Sequence, residues 1–116
     1  MSADDDVFIA GDQPAAEVQQ AIAAALGAEF TPSADSEPVP ALGIGPTHVF
    51  FHDEHDFDDD RDLRFSQYHY WVSVHDTQRD EARQLALARR VFDAAAAAGW
   101  STLLTHDLQV LVAHHP

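Results

Sequence analysis

Two stretches, 47–54 (THVFFHDE) and 67–76 (QYHYWVSVHD), restrict the fold more than anything else in this chain. Both are rich in Val, Phe, Tyr and Trp, and both alternate in a way that gives a strand two different faces. An antiparallel hairpin with the acidic run between them as its connection is the direct expectation. Pairing about the loop centre predicts His52 opposite His69, Phe50 opposite Trp71 and Phe51 opposite Tyr70. One face then carries Val49, Phe51, Tyr70, Val72 and Val74, a core face. The other carries His48, Phe50, His52, Glu54, His69, Trp71, Ser73 and His75. A register slip of two residues would keep that division, whereas a slip of one would mix apolar with polar, so burial selects between them.

The remaining segments supply what such a sheet needs. After a short acidic tail, DVFIAG reads as a brief strand ending at Gly11. DQPAAEVQQAIAAALG predicts a helix with Asp12 as N-cap, Pro14 in the first turn and Gly27 as its stop. Its apolar face holds Val18, Ile22, Ala25 and Leu26. Residues 31–46, with four prolines, read as a connecting loop. A second helix is expected over 77–99, with Thr77 and Asp80 resembling a capping box, a stripe of Leu85, Ala88, Phe92 and Ala95, and Gly99 at its end. WSTLLT predicts a strand. Residues 106–116 fit a short helix capped by Thr105, or a strand through Val110 and Val112, and the placement of Asp107 and the terminal histidines favours the helix.

These elements define an α+β chain, expected as a single two-layer domain over 1–116 with two helices on one face of an antiparallel sheet. The order β-α-β-β-α-β resembles the split βαβ, ferredoxin-like arrangement. Such a likeness carries no function.

Composition narrows the function classes. The 116 residues contain no cysteine, which excludes disulfides, thiolate catalysis and cysteine-based metal centres. Twenty acidic residues face six arginines and no lysine, a formal net charge of −14. That field disfavours direct nucleic-acid binding and membrane binding and attracts a basic protein partner. A GC-rich genome or a high-salt cytoplasm would encode a similar composition. No stretch reaches the length of a membrane span and the acidic N-terminus lacks a signal peptide's basic region, so the expectation is a cytoplasmic protein.

Chemistry-bearing residues gather on the second hairpin face. Directly opposed His52 and His69, with Glu54 two residues along, would offer two imidazoles and a carboxylate to a metal ion; the expectation is no cofactor, with a divalent transition metal as the alternative these residues would suit. The spacing of Asp56, Asp58 and Asp60 begins like a calcium loop, yet Arg61 stands where glycine is needed and Gln67 where the closing glutamate should be. No nucleophile motif, phosphate loop or lysine is present, so the sequence favours a non-enzymatic reading and leaves acid–base catalysis by His52, His69 and Glu54 as the enzymatic alternative.

The expectation is thus a small acidic interaction domain that binds and neutralises or regulates a basic macromolecule, of the immunity, antitoxin or nucleic-acid-mimic class. Phe50 and Trp71, flanked by His48 and His75, would form the desolvated contact, and Asp56, Asp58, Asp59, Asp60 and Asp62 would steer the encounter. The alternatives are a metal-binding protein using His52, His69 and Glu54, and a homodimer joined through the open sheet face.

Overall fold

The computed structural model describes residues 4–32, 39–55, 57–59, 63–108 and 110–116. Strand β1 (Asp5–Ile9) is followed by helix α1 (Ala15–Leu26), then β2 (Thr31–Pro32), β3 (Pro40–Ile44) and β4 (Thr47–His52). A 3₁₀ turn, Phe65–Gln67, lies on the passage to β5 (Tyr70–Asp76); helix α2 (Glu81–Ala97), β6 (Thr102–His106) and β7 (Val110–His115) complete the order. The described strands form one antiparallel sheet in the order β2-β3-β4-β5-β1-β6-β7, with α1 and α2 packed on one face. The architecture is α+β as expected, but with seven strands where the sequence suggested four or five.

Alternation in the strands decides which side the helices cover. Val7 and Ile9 of β1, Val49 and Phe51 of β4, Tyr70, Val72 and Val74 of β5 and Leu104 of β6 all meet Val18, Ile22 and Leu26 of α1 and Leu87, Ala88, Val91, Phe92 and Ala95 of α2. The core face foreseen for the hairpin is therefore correct. Its register is not. Phe51 stands opposite Val72, Phe50 opposite Ser73 and His52 opposite Trp71, a slip of two residues that preserves both faces and changes every cross-strand partner.

Local chemistry explains the helix ends. Gly27 takes a left-handed conformation at φ 69° and its amide donates to the Ala23 carbonyl, closing α1. Pro14, and not Asp12, occupies the N-cap position of α1, with no side-chain bond. For α2 the cap is Asp80, whose carboxylate accepts from the Arg83 amide at 3.0 Å, so Thr77 lies outside the helix. The apolar stripe of α2 runs through Leu87, Val91 and Ala95, and Leu85 lies at its margin, only partly buried.

Two further expectations are corrected. The proline-rich segment contains β2 and a five-residue strand, β3, which turns at Gly45 (φ 58°) into β4; its residues 33–38 lie outside the described ones. The C-terminal segment is strand, not helix. Asp107 and Leu108 both have positive φ, 53° and 58°, the signature of a tight hairpin turn that returns the chain along β6. Thr105 is a buried member of β6 instead of a cap.

Candidate functional site

The second sheet face is divided, and the acidic connection divides it. Phe57, Leu63, Phe65 and Tyr68 fold back over Phe8 of β1 and Leu103 of β6 and, with Ala10, Trp71 and Leu108, form a second hydrophobic cluster. Phe8 is fully buried, with Phe65 at 4.7 Å and Phe57 edge-on at 5.9 Å between ring centroids. What the sequence suggested as a solvated loop is thus pinned by its own apolar residues. His55 adds a polar latch. The Phe57 amide donates to its Nδ1 at 3.2 Å, which makes Nε2 the protonated nitrogen, and Nε2–H donates to the Tyr68 carbonyl at 2.6 Å.

The described carboxylates of the loop face outward. Asp53, Glu54, Asp58 and Asp59 are exposed. Asp59 accepts from the Ser66 amide at 2.9 Å and lies 3.6 Å from the Arg64 guanidinium; the Ser66 amide is the main cause holding its carboxyl below the usual range. Asp58, Glu54 and His69 line an open cleft of about 580 Å³ whose walls include His55, Phe57, Ser66 and Tyr68. Asp56, Asp60 and Asp62 of the expected steering set lie outside the described residues.

Over β3, β4 and the outer part of β5 the face stays partly open. His48, Phe50, His52, Trp71 and His75 are all half-buried there. His48 stands opposite His75 and stacks on Phe50, and His75 Nδ1 is 2.8 Å from Asp4. The His52 ring lies parallel to Trp71 at 3.9 Å, and the loss of water around it lowers its pKa. Trp71 is far from a free hot spot, because Phe57 also packs edge-on against it at 4.8 Å and its Nε1–H donates to Asp6 at 2.7 Å.

The expected metal trio is not assembled as the sequence register placed it. His52 faces Trp71, while His69 lies outside β5 beside Asp53 at 3.4 Å, and Glu54 is exposed beyond the end of β4. Among the described residues no group of three or more His, Asp or Glu side chains is set to hold a metal ion. A serine and a histidine do meet, Ser73 Oγ and His52 Nε2 at 3.5 Å, but Ser73 is only 5 % exposed and that separation is the outer limit of a hydrogen bond.

Three aspartates that composition assigns to the surface are buried. Asp5 bridges His106 Nδ1 at 2.8 Å and the Gln84 amide at 2.9 Å, and that carboxylate raises the His106 pKa. Asp76 receives Thr47 Oγ1–H at 2.8 Å and both Nε and Nη2 of Arg83, which hold its carboxyl far below the usual range. Asp6 has a poorer environment. Burial pushes its carboxyl up to about 7, against the lowering effect of the Trp71 bond, with Asp4, Asp5 and Asp107 adding to the rise. Its ladder neighbours are Ser73 and Thr105, and the Thr105 hydroxyl is buried without a hydrogen-bond partner among the described residues.

The sequence pattern did carry a signal for Asp6: DDDVFI read as a strand from its first aspartate places Asp6 and Phe8 on one face. His55 had none, since its role depends on the path of the loop.

These features define a class, an α+β sheet domain with an acidic loop anchored on its second face. Comparison with known protein families, with curated proteins and with solved structures finds no match for the chain. No helix among the described residues is long and apolar enough to cross a membrane.

Proposed function

We propose that this chain is an acidic interaction domain that binds a basic macromolecular partner and neutralises or regulates it, in the manner of an immunity protein, an antitoxin or a nucleic-acid mimic. The observation that carries the reading is the anchored loop. Phe57, Leu63, Phe65 and His55 anchor the segment that carries Glu54 and Asp58, so part of the ordering cost of presenting them is met in folding and not on association. Exposed carboxylates on an anchored segment of a chain of net charge −14 steer a cationic surface and reject a phosphate backbone.

The same reading assigns the contact aromatic to Phe50 before Trp71. Among the described residues Phe50 belongs to neither hydrophobic cluster and has only the His48 ring stacked on it, whereas Trp71 is already engaged by Asp6, His52 and Phe57. It also takes β4, β5, β1 and β6, with α1 and α2, as the split βαβ core expected from sequence, and β2, β3 and β7 as additions at its edges.

The test is retention of a basic protein by the untagged, covalently immobilised chain, followed by elution in a salt gradient. The reading expects release at raised salt and binding weakened when Glu54 and Asp58 are neutralised together. Binding indifferent to salt and to Glu54→Gln/Asp58→Asn would overturn it.

A further inference from the structure

The two edges of the sheet are built differently. β2 is two residues long and ends in Pro32, which has no amide hydrogen to offer a further strand. β7 runs for six residues, VLVAHH, with no proline and no Asp, Glu, Arg or Lys. Among the described residues the exposed large hydrophobics are Val110, 57 % exposed, and Leu111, 49 % exposed, both on this strand. Edge strands are ordinarily blunted by charge, proline or brevity, because a bare edge is a template for another strand. On a chain of net charge −14 a neutral, apolar edge is the exception that needs a reason.

We propose that β7 pairs antiparallel with β7 of a second copy about a two-fold axis, making one sheet that continues through both molecules. Charge selects this occupant. Two copies repel each other over most of their surfaces, and β7 carries no Asp, Glu, Arg or Lys to add to that repulsion. The ends of the strand are also complementary. Asp107 marks the turn before β7, and His114 and His115 mark its other end, so antiparallel pairing sets the acidic turn of each copy beside the histidines of the other. A parallel arrangement would set turn against turn. Val110 and Leu111 leave water in the process, and the outward backbone groups of β7 gain partners. Six residues a side give a small interface, so the dimer is weak and depends on concentration.

This inference is independent of the basic partner, and salt separates the two. Screening the mutual repulsion of two acidic copies strengthens edge pairing, whereas it weakens attachment of a basic protein. Sedimentation equilibrium of the full chain from about 10 μM to about 1 mM, at low and high salt, reads the association directly. The expected result is a monomer–dimer equilibrium that tightens with salt, is weakened at least about tenfold by Val110→Glu/Leu111→Glu, and is unchanged by Phe50→Ser on the open face. Both edge positions are exposed, so that variant retains its fold, which circular dichroism verifies. A chain that stays monomeric throughout overturns the proposal. So does an edge variant that dimerises like the parent, or a dimer lost in Phe50→Ser and kept in the edge variant.

Discussion

Asp6 accepts a hydrogen bond from the Trp71 indole at 2.7 Å, diagonally across the β1–β5 ladder, and the pair lies where the anchored loop meets the open part of the sheet face. A carboxyl that is 3 % exposed and held by a neutral donor lacks the cation that stabilises Asp76, and it retains its proton up to about pH 7. The folded state therefore binds more protons than the unfolded one between the ordinary carboxyl value of 3.8 and about 7. Stability must fall as pH rises through that window, by about 4 kcal/mol at most for a displacement of this size. His106 acts in the same direction, since its raised pKa gives stability that is present below the ordinary histidine value and lost as pH rises through the folded one. Urea unfolding should show greater stability at pH 5 than at pH 8, and Asp6→Asn, which keeps an acceptor for Trp71, should flatten most of the slope.

Asp76 behaves in the opposite sense. Its carboxyl is held far below the usual range, so its contribution is complete above the ordinary value and is lost only as pH falls through the low folded one. Asp76→Asn should cost about 3 kcal/mol at pH 7, toward the lower end for a broken buried pair because Arg83 keeps 39 % of its side chain in water. A double-mutant cycle with Arg83→Ala should return a coupling of at least about 1 kcal/mol.

Thr105 offers a cheaper change. Its hydroxyl is fully buried with no hydrogen-bond partner among the described residues, so Thr105→Val replaces an unsatisfied group by a methyl of similar shape. The variant should gain about 1 kcal/mol in the same unfolding assay, and a loss of that size would show that the hydroxyl has a partner in solution.

The loop should open without the sheet. His55→Ala removes the acceptor of the Phe57 amide and the donor to the Tyr68 carbonyl. Native-state hydrogen exchange should show the Phe57 amide released about tenfold faster, with β1 and β5 amides unchanged.

The residues differ in how plainly they announce their places. Gly27 and Gly99 end their helices as read, because a left-handed terminus is a local matter. The faces of β4 and β5 follow from alternation alone. Their register does not, because it depends on where Phe57, Leu63 and Phe65 find Phe8, a contact made by a loop that reads as acidic and solvated. The same limit applies to β7: Leu108, Leu111 and Val112 suit either period, and the choice falls to the free edge of β6 and the two residues at positive φ. The candidate site was half visible. His48, Phe50, Trp71 and His75 share a face as expected, while His52 and His69 are separated by the two-residue slip. Asp5 and Asp6 look like a charged tail because nothing local shows that β1 lies inside the sheet, between β5 and β6.

Recognition of a basic partner is proposed to rest on the exposed carboxylates of Glu54 and Asp58. The most direct measurement compares the immobilised chain with its Glu54→Gln/Asp58→Asn variant in capture from lysate, with salt elution and mass spectrometry. The expected result is a basic protein retained by the parent, released at raised salt, and depleted on the variant column at equal loading. Retention of no basic protein by the parent, or equal retention of one by both columns, would contradict it.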